Sequence, residues 1–309
     1  MTGPTADRTP GRILVAGRHG QVARALVGAA AMADDLDVVA IGRPVLDLTD
    51  AATIARAMHE TRPALVVNAA AYTAVDRAEA EPDAAMAPNA HGAAHLASAA
   101  AASGVPIIHL STDYVFDGTL GRPYREDDPV RPLGAYGRSK AAGEGRVRAA
   151  TDDHVILRTS WIHAPYGANF VRTMLRLAAD RDEVRVVADQ RGRPTYAPDV
   201  AAAILVVARR LLSDRDRALR GTFHLAGTGE ATWADLAEAV FDASRERGGP
   251  TASVARIRTA DYPTPAARPA DSRLDTSRFE ATFDHALPDW RDGVQRCVAA
   301  LAADRRTGP

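Results

Sequence analysis

Short apolar runs alternate with longer helix-forming segments through the first half of this chain. The runs occupy residues 13–16, 37–41, 64–67, 105–110 and 154–158, and the segments between them have the apolar spacing or the alanine content of helices. A strand that is buried on both faces reads as a continuous apolar run, and a helix that joins two strands makes them parallel. The alternation therefore predicts an α/β fold, in which a doubly wound parallel sheet is followed by a smaller C-terminal α/β lobe.

The predicted sheet ends near the middle of the chain, where the alternation gives way to shorter strand-like pieces. Residues 1–11 are polar and contain glycine and proline, which is typical of a disordered arm and lacks the apolar core of a signal peptide. Residues 12–160 form the predicted sheet domain, to which segments of about 184–220 are expected to return. Residues 161–309 form mainly a second lobe, and the prolines of the stretch 261–273 favour an ordered loop over a site.

Charge and cysteine content exclude several classes of protein. The 309 residues carry 38 basic and 39 acidic side chains, so the formal net charge of −1 offers no basic field for nucleic acid or a membrane surface. No run of about 18 apolar residues occurs, so no membrane-spanning helix is predicted. The single cysteine, Cys297, excludes an intramolecular disulfide. We therefore expect a cytoplasmic monomer or homodimer that acts on small molecules.

A glycine turn follows the first predicted strand. Residues 17–23 have the pattern G-x-x-G-x-x-A, in which glycines let backbone N–H groups approach a pyrophosphate at a helix N-terminus. The same residues would suit an ordinary strand-to-helix turn, but the position directly after the first strand favours a dinucleotide site of the Rossmann type. The predicted cofactor contacts in this turn are Gly17, Gly20, Gln21 and Val22.

The end of the second predicted strand bears on the choice of dinucleotide. An acid there would bind the ribose hydroxyls of NADH, but the strand ends in Gly42-Arg43, and an arginine suits the 2′-phosphate of NADPH. This indicates NADPH, with NADH possible, because Arg43 could also be a solvent-facing arginine. Further residues are predicted to line the adenine pocket and the floor under the cofactor: Asp47, Leu48, Ala70, Ala71 and Tyr72.

A tyrosine and the only lysine lie four residues apart on a predicted helix. The chain contains 37 arginines and one lysine, Lys140, and Tyr136 precedes it on the same helical face. A free tyrosine has a pKa of about 10, and a nearby ammonium would lower that pKa toward the range of a useful proton donor. Thr112 ends a predicted strand, where ligands of open α/β sheets collect, so it could hydrogen-bond a substrate carbonyl together with Tyr136. The predicted catalytic residues are Thr112, Tyr136 and Lys140.

These motifs together resemble the extended short-chain dehydrogenases/reductases, and within them the dTDP-4-dehydrorhamnose reductase family. The resemblance covers about residues 12–301, and its most specific words are S-T-D-Y-V-F-D-G at 111–118 and D-Q-R-G-R-P-T at 189–195. The other matching segments are 68–76, 136–140, 158–161, 169–178, 262–266, 272–275 and 287–290.

The resemblance implies an oxidoreductase that reduces the C4 keto group of dTDP-4-dehydro-6-deoxy-L-mannose with NADPH to give dTDP-L-rhamnose. It makes 12–160 the NADP-binding domain and 161–309 mainly the substrate-binding lobe, and it places Trp161 against the deoxysugar. Arg268 could bind the diphosphate, since guanidinium groups suit phosphates, although it could equally be a surface arginine. The predicted substrate contacts are Thr112, Asp113, Tyr136, Trp161, Asn169 and Arg268.

Two other functions remain open from the sequence. One is reduction of another nucleotide-linked 4-keto-6-deoxysugar, as in enzymes of the dihydrostreptose-synthase type. The other is a non-catalytic protein similar to the regulatory subunit of methionine adenosyltransferase, which retention of the catalytic residues disfavours. His91 and His95 have the spacing of a zinc pair, but the sequence offers no third ligand, so no metal is predicted.

Overall fold

The computed structural model describes residues 11–33 and 35–307, with side chains described as far as Asp304. The predicted N-terminal arm lies outside the described residues except for Gly11. The strands are, in chain order, β1 (Gly11–Ala16), β2 (Leu36–Ile41), β3 (Leu65–Asn68), β4 (Ile107–Thr112), β5 (His154–Thr159), β6 (Ile162–His163), β7 (Glu183–Val187), β8 (Arg191–Gly192), β9 (Thr195–Tyr196), β10 (Gly221–His224), β11 (Ala231–Thr232) and β12 (Ser253–Ile257).

The α-helices connect these strands and close the C-terminal part of the fold. They are α1 (Gln21–Ala30), α2 (Ala51–Thr61), α3 (Val75–Ala80), α4 (Pro82–Met86), α5 (Ala93–Ala102), α6 (Ala135–Ala150), α7 (Phe170–Leu177), α8 (Ala197–Ser213), α9 (Trp233–Arg245), α10 (Ser277–Phe283) and α11 (Trp290–Thr307).

Six strands form one parallel sheet in the order β2-β1-β3-β4-β5-β10. The chain moves outward from β1 to β2 and then crosses to β3 on the other side of β1. Such a reversal opens a crevice at the carboxyl ends of the strands, where α/β proteins bind ligands. The predicted Rossmann-type α/β fold is confirmed, and the crevice lies beside the glycine turn after β1.

Helices cover both faces of the sheet. Alternate residues of each strand face opposite sides, so each strand contributes side chains to two separate clusters. Ile13 and Val15 of β1 pack in one buried cluster with residues of α1 and α8. Leu14 and Ala16 pack in the opposite cluster with residues of α2, α5 and α6. Both clusters are fully apolar in composition, which is why β1 reads as an unbroken apolar run.

The alanine-rich segment 84–103, between β3 and β4, is not one regular helix. It consists of α4, a π-helical turn at Ala87–Gly92 and α5. The turn brings its backbone close to α6, since a Cβ built on Gly143 would lie 2.1 Å from the carbonyl oxygen of Asn89. Only a glycine in α6 permits this approach. The sequence pattern gave no sign that the chain forms a π-helical turn here.

The second lobe is built from small two-stranded sheets and three packed helices. β7 pairs with β12, β8 with β11, and β6 with β9, while α7, α9 and α11 share one apolar cluster. Of the segment 184–220, α8 lies against α1 on the main sheet, whereas β7 belongs to the small sheet with β12. The division of the chain into two domains stays a prediction.

No helix within the described residues has both the length and the apolar character needed to cross a membrane.

Candidate active site

The strand β4 and the helix α6 bring together the three predicted catalytic side chains at the carboxyl edge of the sheet. Thr112 is the last residue of β4, and Tyr136 and Lys140 lie on the first turns of α6. The backbone N–H of Ala135 donates to Glu79 Oε1 at 2.6 Å, so a carboxylate from α3 caps the start of α6. The capping fixes the first turn of the helix, which carries Tyr136.

Tyr136 lies among groups that disfavour its ionisation. Burial raises the pKa of Tyr136 to about 12, the hydroxyl of Thr112 lowers it by hydrogen bonding, and the charge of Asp113 raises it. The phenol is therefore a protonated donor at neutral pH, next to the hydroxyl that is predicted to orient the carbonyl.

Lys140 is bound to β4 through its ammonium group. Its side chain is 3% exposed, and Nζ donates to the carbonyl oxygen of Leu110 at 2.6 Å. Burial lowers the pKa of Lys140 to about 8, and the charge of Glu144 opposes this. Burial is the largest cause of the raised pKa of Tyr136. The expected lowering of this pKa by Lys140 stays a prediction.

Thr112 and Asp113 form a compact polar pair at the end of β4. Thr112 Oγ1 donates to Asp113 Oδ1 at 3.1 Å and accepts from the N–H of Tyr114 at 3.2 Å. Burial raises the pKa of Asp113 to about 7, against hydrogen bonds from Ser272 and Thr112 that lower it. Asp113 Oδ2 is buried and has no hydrogen-bond partner among the described residues. A buried acceptor without a partner marks this carboxyl as a candidate ligand-binding group.

The glycine turn has the geometry that a pyrophosphate site needs. Gly17 has φ +113°, and a Cβ there would lie 3.2 Å from the carbonyl carbon of Ala69 and the nitrogen of Ala70. Gly20 begins α1, and the first turn of α1 contains neither a capping side chain nor an acid. The free N–H groups of this helix start are therefore available to an anion, and Gln21 and Val22 follow directly. These residues fit a dinucleotide.

Arg43 lies exposed after β2, and its guanidinium forms no ion pair among the described residues. Asp47 accepts hydrogen bonds from the N–H and hydroxyl of Thr49, which lower the pKa of Asp47, and Leu48 is buried. A second exposed arginine, Arg18, stands in the glycine turn, where its Cβ would lie 3.1 Å from a Cβ built on Gly42. Two arginines thus flank the end of β2, and the sequence pattern pointed only to Arg43.

The segment after β3 is held by two asparagines. Asn68 Oδ1 accepts from the N–H of Ala70 at 3.3 Å. Asn89, in the π-helical turn, accepts from the N–H of Tyr72 at 2.8 Å and donates to Ser139 Oγ at 2.9 Å. Asn89 therefore connects the predicted floor of the cofactor site, which includes the exposed Ala71, to the helix of the catalytic residues.

Trp161 lies in an aromatic stack at the entrance of the second lobe. It has φ +47°, and its indole is stacked on that of Trp233 with ring centroids 3.6 Å apart. A Cβ on Gly192 would lie 2.3 Å from Trp161 Cε2, so only a glycine leaves room for the ring. Trp233 Nε1 donates to Gln190 Oε1 at 3.2 Å. The partner Trp233 comes from α9, far along the chain.

The last two predicted substrate contacts bond to other protein groups. The side-chain amide of Asn169 donates to Gln21 Oε1 at 2.9 Å and to the carbonyl oxygen of Ala164 at 2.8 Å, and its Oδ1 caps α7. Arg268 Nη2 donates to Asp76 Oδ2 at 2.8 Å, and Arg268 also hydrogen-bonds Tyr114. Asn169 thus links the glycine turn to the second lobe, and Arg268 holds the loop 261–273 beside the end of β4.

The comparisons with known proteins agree with this geometry. A family model described as the RmlD substrate binding domain matches residues 11–303. The chain belongs to this family. A protein from Sinorhizobium fredii named dTDP-4-dehydrorhamnose reductase is 49% identical over 94% of this chain and 97% of its own length. A protein of the same name from Escherichia coli K12 is 43% identical over 82% of this chain and 85% of its own length.

Solved structures show the same RmlD-type fold. The reductase of this name from Bacillus anthracis, solved in complex with NADP, has a TM-score of 0.87 and 33% identity, and the match covers 94% of this chain and all of that one. The reductase from Clostridium acetobutylicum has a TM-score of 0.86 and 34% identity, with 94% and 99% covered. The resemblance inferred from the sequence motifs is confirmed.

Several polar residues of this RmlD-family site were not found from sequence. Asn89 is a buried amide inside an alanine-rich helical segment, and Glu144 follows Lys140 by one helical turn. Both features are visible in the sequence and could have been noticed. Trp233 and Glu79 gave no comparable signal, because their contacts depend on how distant segments pack. His91 and His95 show no further ligand, and no group of three or more potential metal ligands occurs in the described part of the chain.

Proposed function

We propose that this chain reduces the C4 keto group of dTDP-4-dehydro-6-deoxy-L-mannose (dTDP-4-dehydro-L-rhamnose) with NADPH and releases dTDP-L-rhamnose. The observation that carries the proposal is the meeting of Thr112, Tyr136 and Lys140 with the glycine turn at one edge of the sheet. The identity of 49% over 94% of the chain to a protein named dTDP-4-dehydrorhamnose reductase supports the same substrate class.

The proposed roles follow from the chemistry of each side chain. NADPH, when bound, supplies the hydride that reduces the carbonyl carbon. Tyr136 donates its hydroxyl proton to the developing alkoxide, which its protonated state at neutral pH permits. Thr112 hydrogen-bonds the same oxygen and orients it. Lys140 holds the nicotinamide ribose, and its charge favours the tyrosinate that remains after proton transfer.

The cofactor would lie along the glycine turn. Gly17, Gly20, Gln21 and Val22 would present backbone N–H groups to the pyrophosphate, as the open start of α1 supports. Asp47 and Leu48 would line the adenine pocket, and Ala70, Ala71 and Tyr72 would form its floor.

Arg43 supports a preference for NADPH, and it gives a direct test. Replacing Arg43 with alanine should raise the KM for NADPH by roughly 10- to 100-fold and leave that for NADH unchanged, because a hydrogen bond to a charged group contributes roughly 1.5–3 kcal/mol. Steady-state kinetics with both dinucleotides measure this. Arg56→Ala, which removes an exposed arginine of α2, is the matched control. Equal losses with NADH and NADPH would show that Arg43 does not read the 2′-phosphate.

The sugar nucleotide would lie between β4 and the second lobe. Asp113 and Tyr136 would contact the sugar ring, and the exposed edge of the Trp161–Trp233 stack would pack against an apolar part of the substrate. Arg268 would reach the diphosphate only by exchanging its bond to Asp76. We assign Asn169 a positioning role, since its polar atoms bond to the protein itself.

The test is NADPH oxidation by the purified protein, with dTDP-4-dehydro-L-rhamnose generated in place by the preceding dehydratase and epimerase, and with the product identified by NMR. Turnover to dTDP-L-rhamnose supports the proposal. A product that differs at C4 would indicate an enzyme of the dihydrostreptose-synthase type. Binding of NADPH without turnover of the sugar would favour the regulatory function.

The proposed reaction uses small water-soluble substrates, which agrees with a cytoplasmic location and with the lack of a membrane-spanning helix in residues 11–33 and 35–307. Whether the chain is a monomer or a homodimer stays a prediction, which sedimentation velocity can test.

A further inference from the structure

The end of β4 contacts α6 through two consecutive residues before the catalytic threonine. The carbonyl oxygen of Leu110 accepts from Lys140 Nζ at 2.6 Å, and Ser111 Oγ donates to Glu144 Oε1 at 2.6 Å. Glu144 lies one helical turn after Lys140, so the lysine and the glutamate face the same strand. The position of Lys140 on β4 is therefore linked to the position of Glu144.

Glu144 is held from both sides by buried groups. Its side chain is 0% exposed and that of Arg158, on β5, is 2% exposed. Arg158 Nε donates to Oε1 at 2.9 Å and Nη2 donates to Oε2 at 2.7 Å, a bidentate pair. Arg148 reaches Oε2 at 3.4 Å from the solvent side. With Ser111, these donors satisfy both carboxylate oxygens, so Glu144 stays ionised in spite of burial.

The charge states of the groups around Lys140 indicate the role of the Glu144 carboxylate. The lysine itself is desolvated, and the charge of Glu144 counters the resulting fall of its pKa. From β4, His109 is neutral, because burial and the charge of Lys140 lower its pKa well below the usual value. His224, on β10, is also neutral, since burial and Arg158 lower its pKa to about 3. Tyr136 is protonated, and Arg158 is positive and bound to the carboxylate.

We propose that Glu144 is a positioning residue for the reductase reaction: through the buried Ser111–Glu144–Arg158 network it keeps the Lys140 ammonium charged and in place at the end of β4. The part that concerns catalysis rests on the proposed function. The charge and placement of Lys140 are properties of the protein alone, so they can be tested without substrate.

The single lysine makes that test direct. Protein labelled with ¹³C only in lysine gives one side-chain signal, and its ¹³Cε shift reports the protonation of Lys140 as the pH is raised. The parent should titrate near the pKa of about 8. Glu144→Gln should lower the midpoint by about one pH unit, because the charge of Glu144, one helical turn away, raises the pKa of Lys140. Glu144→Asp, which keeps the charge, should restore most of the difference.

Glu126→Gln is the matched control. Glu126 accepts from the N–H of His224 at 2.9 Å, and its carbonyl oxygen accepts from Arg158, so it belongs to the same polar region but not to the neighbours of Lys140. Its replacement should leave the Lys140 midpoint unchanged. A midpoint in Glu144→Gln that equals that of the parent overturns the proposal, and so does an equal fall in both variants.

Loss of the carboxylate leaves Arg158 buried without its partner, so Glu144→Gln can fail to fold. In that case the double variant Glu144→Gln/Arg158→Gln removes both charges and leaves two amides that can bond to each other, which proteins tolerate better than a single buried ion. The Lys140 midpoint should again fall, because Glu144 is the group whose charge acts on Lys140. An unchanged midpoint would overturn the proposal in this variant too.

Kinetics separate this inference from the proposed function. If Lys140 must be charged for turnover, the alkaline limb of kcat/KM should move to lower pH in Glu144→Gln by the same amount as the NMR midpoint. A purely structural role would lower activity at every pH and leave the limb in place. If the parent does not reduce the sugar nucleotide, the proposed function fails while the titration still decides whether Glu144 holds the charge of Lys140.

Discussion

Two buried carboxylates lie near the end of β4, and they differ in nearly every property except burial. Asp113 is 2% exposed and Glu144 is 0% exposed. Glu144 accepts from Ser111 and twice from Arg158, and although burial acts to raise its pKa, these bonds and charges lower it. Asp113 has one oxygen without a hydrogen-bond partner in the part of the chain that the structure describes, and burial raises the pKa of Asp113 to about 7.

The difference teaches that hydrogen-bond partners, rather than burial, decide whether a carboxyl stabilises the fold. The side of α6 that carries Glu144 is fully bonded and fixes helix to strand. The side that carries Tyr136 faces Asp113 and Thr112, where polar groups are buried with bonding capacity left over. Folded proteins tolerate such groups mainly at functional sites. We therefore expect loss of the Glu144 carboxylate to destabilise the fold at neutral pH, and loss of the Asp113 carboxylate to stabilise it at alkaline pH.

The largest effect is expected at Tyr136, on the side of α6 that faces Asp113 and Thr112. Tyr136→Phe removes the proton donor, and general acid catalysis contributes roughly 10²–10⁴-fold to a rate. The variant should lose kcat by about that factor while its dissociation constant for NADPH and its Tm stay near those of the parent. Steady-state kinetics, fluorescence titration and thermal denaturation measure these three quantities.

Tyr114→Phe is the control for this prediction. Tyr114 lies edge-on to Tyr136 with ring centroids 6.0 Å apart, and burial raises the pKa of its phenol, as it does for Tyr136. Its loss should lower kcat far less than Tyr136→Phe does, because Tyr114 hydrogen-bonds the guanidinium of Arg268 and is not the predicted proton donor. Equal losses in both variants would remove the distinction between the two tyrosines.

The second prediction concerns the side of α6 that carries Glu144. Glu144→Gln should lower the free energy of unfolding at neutral pH by about 3 kcal/mol, because breaking a buried ion pair leaves the Arg158 charge uncompensated. The pKa of Glu144 is lowered by folding, so its contribution is present above the unfolded value of 4.5 and is lost as the pH falls through the folded pKa. Urea denaturation at pH 7 and pH 4 should therefore show a smaller difference in acid. A difference that is independent of pH would contradict this account.

The third prediction has the opposite sign. The pKa of Asp113 is raised from 3.8 to about 7, so the folded chain holds a proton that the unfolded chain has lost, and stability falls as the pH rises between these values. Asp113→Asn removes this loss and should raise the free energy of unfolding at pH 8 by on the order of 2 kcal/mol, with little change at pH 4. Asp127→Asn, at an exposed site, should have no effect at either pH. Destabilisation by Asp113→Asn at pH 8 would show that its carboxylate is paired after all.

The smallest effect is expected for Ser111→Ala. It removes one donor to Glu144 but leaves the bidentate bond from Arg158, so the free energy of unfolding should fall by about 1–2 kcal/mol. The loss should be smaller than that of Glu144→Gln by equilibrium unfolding. If Ser111→Ala costs as much, the serine rather than the arginine holds the carboxylate in place.

Local patterns in the sequence carried much of this description. The apolar runs predicted five of the six strands of the main sheet within a few residues, since strands buried on both faces are continuously apolar. The sixth strand, β10, was not among these runs. The spacing of Tyr136 and Lys140 predicted a shared helical face. The glycine pattern predicted the turn after β1, where Gly17 does have a positive φ.

Contacts between distant segments could not be read in the same way. The stack of Trp161 on Trp233, the cap from Glu79 on α6 and the bond from Asn169 to Gln21 join residues far apart along the chain. The burial of Tyr136 and Lys140, which shifts the pKa of each, could not be predicted either, because spacing gives the face of a helix but not the depth at which that face is buried.

The sequence by itself therefore determined the fold class, the strand order along the chain and the identity of the residues that meet at the carboxyl edge. These depend on periodicity and on local backbone requirements. Only the tertiary structure decided which of the buried polar groups are satisfied. The partners of Asp113 and Glu144 come from β4, β5, α6 and the loop 261–273, and desolvation grows with everything packed around a group. That is why two acidic side chains with the same burial carry opposite shifts in pKa.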